Sequence, residues 1–160
     1  MWRSFKKEPI IQSGKDYGVY AISLISGGFL CGAIIAWGLE VLGTLPYAAL
    51  GTIIPLNNCI LPLVLGPALI GLLYPRIKKW GLLWEDVMDE EDVSKPRLAV
   101  TGRVLVAIGS IGAIVIGLAI STGVYQATLA GFSGTGGSIG VIVSVLPFIL
   151  LATIGALALL

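Results

Sequence analysis

Two adjacent carboxamides and one isolated carboxylate are the residues whose type and setting could do chemistry in this chain. Asn57 and Asn58 stand between Pro55 and Pro62, inside an apolar stretch that runs from Leu42 to Tyr74. A side-chain amide both donates and accepts hydrogen bonds, and removing it from water without partners is costly. The pair therefore either caps a turn, satisfying local backbone groups, or lines a binding or permeation site at a broken helix, as in many transporters. Glu40 is the one acid outside the two polar regions of the chain. At the far end of the first apolar run it is either solvated or, when buried or facing a lumen, functional. Asn57, Asn58 and Glu40 are the candidate solute site.

Residue types exclude or disfavour other chemistry. Histidine is absent and there are 2 cysteines. His-ligated haem and histidine acid–base catalysis are ruled out, and a protein-ligated zinc site lacks its ligand set. Cys31 and Cys59 both lie in apolar stretches and read as small buried hydrophobes. Glu85, Asp86, Asp89, Glu90, Glu91 and Asp92 are clustered but lack the ordered spacing and the glycine of a calcium loop. The stretch Gly131–Gly140 (GFSGTGGSIG) reads as a flexible loop rather than a phosphate cradle. There is no P-loop, dinucleotide-binding turn or nucleophile elbow. The chain reads as a non-enzyme, with no cofactor and no metal site. Its formal net charge of +1 gives no nucleic-acid footprint.

The medium follows from composition. Of 160 residues, 56% are hydrophobic and 12% charged, and the mean hydropathy is +0.97. A soluble domain of this size could not hide so many apolar side chains, so the solvent is lipid. The 10 Lys and Arg residues fall in two places, Arg3 to Lys15 and Arg76 to Arg103. The positive-inside rule then predicts cytoplasmic termini and a cytoplasmic central segment. The expected fold is an all-α integral membrane protein with four transmembrane helices. Its organisation is a cytoplasmic arm over 1–17, a first transmembrane hairpin over 18–75, a cytoplasmic amphipathic loop over 76–101 and a second transmembrane hairpin over 102–160. The first span, over 18–39, exceeds the apolar core of a signal peptide and reads as a retained helix. A prokaryotic plasma membrane is the expected location.

The second span is expected to be broken. Pro46, Pro55, Pro62 and Pro67 interrupt it, and proline removes a backbone donor that lipid cannot replace. Residues 44–55 read as an outer-leaflet or re-entrant segment, and 59–74 as a short returning helix kinked near Gly66-Pro67. Small residues mark close helix packing. Gly28 and Gly32 form a G-x-x-x-G pair on the first span. Gly109, Ala113, Gly117 and Ser121 form a four-residue stripe on the third, facing either the first span or a neighbouring subunit. Tyr17 and Tyr20 fit an inner aromatic belt and Trp37 an outer one.

Ile77, Trp80, Trp84, Val87 and Met88 share one helical face. They predict an interfacial amphipathic helix whose basic start and acidic end oppose the helix dipole. Trp80, Trp84 and Met88 are the expected docking face for a cytoplasmic partner. The expected function is a small subunit of a transport system that binds or passes a neutral or small solute within a homo- or hetero-oligomer. The alternative is a non-catalytic accessory subunit that stabilises a larger membrane complex.

Overall fold

A computed structural model describes residues 10–87, 98–124, 128–129, 132–133 and 138–159. Its helices are α1 (Gly14–Val41), α2 (Tyr47–Lys79), the single turn α3 (Trp84–Val87), α4 (Ala99–Ser121) and α5 (Ser138–Leu157). Between α4 and α5, β1 (Thr128–Leu129) pairs antiparallel with β2 (Phe132–Ser133). Four of the helices, α1, α2, α4 and α5, are long and apolar enough to cross a membrane. They form two antiparallel hairpins, α1–α2 and α4–α5, with α1 also packed on both helices of the second hairpin. The starts of α1 and α4 and the ends of α2 and α5 share one end of the bundle. The shared core is Ala33 and Ala36 of α1, Tyr47 of α2, Ala113, Ile114 and Ile120 of α4, and Val141, Val145 and Ile149 of α5.

Helix α1 begins four residues before the expected span because Ser13 and Asp16 form a capping box. The Asp16 N–H donates to Ser13 Oγ at 3.2 Å, and the Ser13 N–H donates to Asp16 Oδ2 at 3.1 Å. This satisfies donors that a helix start otherwise leaves open. At its far end Gly43 takes φ +66°. The Gly43 N–H then donates to the Glu40 carbonyl at 3.0 Å and the Thr44 N–H to the Leu39 carbonyl at 3.1 Å. That pairing stops a helix where only glycine is comfortable.

The expected break in the second span is absent. Helix α2 is continuous over 33 residues, with Pro55, Pro62, Pro67 and Pro75 inside it. Residues 44–55 are therefore not a separate re-entrant element, because from Tyr47 onward they belong to this helix. At Pro67 another helix meets the need that proline creates. Pro67 deprives the Leu63 carbonyl of its usual donor, and the Tyr17 hydroxyl donates to that carbonyl at 3.3 Å. The Tyr20 hydroxyl donates to the neighbouring Pro62 carbonyl at 2.7 Å. Gly66 makes room for it, since a Cβ there would collide with the Tyr20 hydroxyl. Tyr17, expected only to mark an interface, thus patches the backbone of the next helix, and Tyr20 adds a second donor beside it. Tyr17→Phe is expected to cost about 0.6 kcal/mol, typical of an interhelical hydrogen bond in lipid. The cost should vanish in a Pro67→Ala background, where an amide donor returns to Leu63. Denaturation of the two single variants and the double variant in mixed micelles checks this, and equal costs in both backgrounds would refute it.

At 1.5 Å per residue α2 is roughly 50 Å long, well beyond a hydrocarbon core of about 30 Å. Such length is accommodated by tilt or by the bends that proline introduces. The amphipathic helix expected over Ile77–Met88 is also corrected. Gly81 takes φ +63°, and the Leu82 N–H donates to the Ile77 carbonyl at 3.2 Å. This terminates α2 at Lys79, and among the described residues of this segment the turn α3 is the helical element that follows. Arg76, Lys78 and Lys79 therefore lie in the last turn of α2, where the helix dipole favours them, rather than opening an unfavourable new helix. Trp80 caps the end of α2 and is exposed, while Met88 and the side chain of Trp84 lie outside the described residues. The acidic run from Asp89 to Asp92 also lies outside them.

Candidate functional site

Glu40 and the asparagine pair do not form one site. Asn57 lies ten residues after Tyr47, roughly 15 Å along the α2 axis. Both Asn57 and Asn58 are in the middle of a helix rather than at a turn, and both are exposed on the outside of the bundle. Asn58 is nearer the helix interface, with its Cβ 3.4 Å from where a Cβ on Gly28 would stand. The pair is thus neither a turn cap nor the lining of a cavity inside this chain.

Glu40 is 8% exposed, so the solvated reading fails for it. Helix α2 starts at Pro46, which offers no side-chain cap. Glu40 Oε2 supplies one instead, by accepting from the Tyr47 N–H. The next amide, of Ala48, donates to Ser121 Oγ at 3.1 Å. A carboxylate and a hydroxyl from two other elements thus meet the positive end of α2, where open N–H groups and the dipole both favour them. An open cavity of about 180 Å³ at this end is lined by Glu40, Gly43, Thr44, Leu45 and Pro46.

Tyr47 completes the junction. It is fully buried, and its hydroxyl donates to the Ala113 carbonyl at 2.9 Å. Its ring lies over Gly117, where a Cβ would collide with it, and beside Gly51. The small-residue stripe of α4 therefore changes partner along its length. Ala113, Gly117 and Ser121 receive the start of α2. Gly109 receives α5, since a Cβ there would stand 2.6 Å from the Ala152 nitrogen and the Phe148 oxygen. The stripe faces neither α1 alone nor a neighbouring subunit.

Compared with known protein families, curated proteins and solved structures, the chain matches none.

The pair Gly28 and Gly32 does what G-x-x-x-G spacing implies, with α2 as the partner. A Cβ on Gly32 would stand 2.5 Å from Pro55 Cγ, and one on Gly28 would stand 2.8 Å from Cys59 Sγ. Cys59 is buried as expected, whereas Cys31 is exposed, and both thiols are free. Trp37 turns into the bundle, where its indole N–H donates to the Ile142 carbonyl at 3.0 Å. That carbonyl lies one residue before Val143, the carbonyl that Pro147 deprives of its usual donor. Sequence reasoning missed Tyr47, Gly102, Phe148, Ala152 and Gly155. The signal for Gly102 was its place seven residues before Gly109 on α4, and for Gly155 its place three residues after Ala152 on α5. Tyr47 carried none beyond its place after Pro46.

Proposed function

We propose that this chain is a non-catalytic subunit of a larger membrane assembly, and that α2 is the helix through which it assembles. One observation supports the reading most directly: Asn57 and Asn58 are exposed on the outer face of a membrane-spanning helix. Lipid tails offer a carboxamide neither a donor nor an acceptor. Polar side chains on a membrane-spanning face are satisfied across helix–helix contacts, and here Asn57 is exposed on the side away from the contact stripe of Pro55 and Cys59. The side of the membrane is read from charge alone. Arg76, Lys78 and Lys79 in the last turn of α2 support a cytoplasmic position for that end under the positive-inside rule, and for the first residues of α1 beside it.

Transport of a neutral or small solute is the second reading, supported by the four prolines inside α2, each of which removes a helix hydrogen bond. In that reading the path runs between subunits along α2, because the asparagines face outward. Trp80 would serve either assembly as a contact at the cytoplasmic surface.

A photo-crosslinking amino acid at position 57, in the full chain and in native membranes, tests the subunit reading. A discrete adduct with another polypeptide is the expected result. Adducts with lipid alone would overturn it. A small solute that suppresses the adduct would move the conclusion to transport.

A further inference from the structure

Helix α2 is the spanning helix that this fold covers least. In its most apolar window 11% of residues are buried, against 28%, 39% and 33% for α1, α4 and α5. Its contact stripe is Tyr47, Gly51, Pro55 and Cys59, all buried at four-residue spacing. The opposite side carries a different rhythm. Ile53, Asn57, Ile60 and Val64 follow at intervals of 4, 3 and 4, and all are exposed. These four residues share one face of the helix, at the spacing a two-helix seam uses. Asn57, two residues beyond Pro55, points roughly 200° away from it. Gly71, seven residues after Val64, continues the line with open space around it.

The asparagine selects the occupant. It lies roughly 15 Å along the axis from the first residue of α2, on a helix long and apolar enough to cross a membrane, among branched aliphatic neighbours. A carboxamide is its own complement, because each group both donates and accepts. A two-fold axis along the membrane normal sets two parallel copies of α2 side by side with identical residues in register. Asn57 then meets Asn57, and Ile53, Ile60 and Val64 pack against their own counterparts. In helix pairs, one polar residue at a seam position fixes both register and the number of strands. No charge on this face calls for a partner of opposite sign.

We propose that the face Ile53, Asn57, Ile60 and Val64 of α2 is a homodimer seam, with the Asn57 carboxamides paired across the two-fold axis. This rests on the reading of the chain as an assembling subunit, and it names the partner as a second copy.

The test uses the full chain with Cys31→Ser and Cys59→Ala, oxidised in native membranes. Ile60→Cys reports on the seam, and Leu65→Cys reports on an exposed position well off it. At least tenfold more disulfide-linked dimer is expected from position 60 than from position 65. Adding Asn57→Leu should lower the yield at position 60 several-fold, and Asn57→Gln should retain part of it. An unchanged unfolding midpoint for Asn57→Leu separates lost pairing from lost folding. Equal yields at positions 60 and 65, with a monomeric mass for the purified wild type, would overturn the dimer. Crosslinking at position 60 that survives Asn57→Leu undiminished would overturn the carboxamide pairing. A photo-adduct at position 57 with a different polypeptide, without self-linkage at position 60, would overturn the homodimer while the subunit reading stands. Lipid adducts alone, with no linkage, would overturn both.

Discussion

Gly109→Leu is expected to separate α5 from α4 and to cost about 3 kcal/mol, the upper part of the usual overpacking range. The reason lies in what a side chain there would meet. The nearest atoms to a new Cβ are the Ala152 nitrogen and the Phe148 oxygen, each at 2.6 Å, and the Ala152 Cβ at 2.7 Å. Backbone of a neighbouring helix cannot rotate aside as a long side chain can, so the helices must move apart. The same crossing is tight one end further on, where a Cβ on Gly155 would stand 2.8 Å from the Val106 nitrogen. Opening the crossing at Gly109 therefore strips contact from Gly102 to Phe148, not from one residue. Gly27 and Gly38 provide the control, since a Cβ at either meets nothing within 4 Å. Alanine at those positions should stabilise by about 0.5–1 kcal/mol through reduced backbone freedom. Unfolding by sodium dodecyl sulfate in mixed micelles, followed by circular dichroism, measures all three variants. If Gly109→Leu unfolds at the same detergent fraction as Gly27→Ala, the crossing is not held by backbone contact.

The pattern of small residues was legible because glycine spacing reports approach distance directly. What spacing could not report was the partner. Gly28 and Gly32 face α2, Gly109 faces α5, and Gly117, on the same stripe, faces a tyrosine from α2. A helix drifts relative to each neighbour it crosses, so one stripe serves two of them. The four span positions were also legible, from hydropathy and from the two clusters of charge. The proline-rich span was misread for a specific reason. Each proline does remove a donor, but Tyr17, more than 40 residues earlier, replaces the one that Pro67 removes, and Tyr20 donates to the neighbouring carbonyl. Tertiary rescue of this kind leaves no local mark in the sequence. The ending of α2 was misread at Gly81, where the apolar periodicity of Ile77, Trp80 and Trp84 continues although the backbone has turned to φ +63°. Asn57 and Asn58 stand out in the sequence by chemistry alone. Their direction depended on which face of α2 met α1, and Pro55 and Cys59 took that face.

Tyr47→Ala is expected to be the most damaging single side-chain truncation at the α1–α2–α4 junction, at about 3–5 kcal/mol by comparison with buried aromatic deletions. Tyr47→Phe should cost about 1 kcal/mol, for the hydrogen bond to the Ala113 carbonyl alone. The decisive measurement is a cycle with Gly117. In the wild-type background a methyl at position 117 collides with the Tyr47 ring, and Gly117→Ala should destabilise by about 1–3 kcal/mol. In the Tyr47→Ala background the ring is gone and the methyl enters the space it occupied. The second substitution should then be neutral or stabilising, giving a coupling of about 1–3 kcal/mol between the positions. The consequence reaches beyond packing, because α2 has no side-chain cap of its own at Pro46. Its first amides depend on Glu40 and Ser121, and those groups reach them only while Tyr47 holds the helix start against α4. Hydrogen exchange at the amides of Tyr47 and Ala48 should therefore accelerate together in Tyr47→Ala, with the amides of α5 unchanged. Acceleration confined to Tyr47, or additive costs in the cycle, would show that capping and ring packing are independent and that the junction is not one unit.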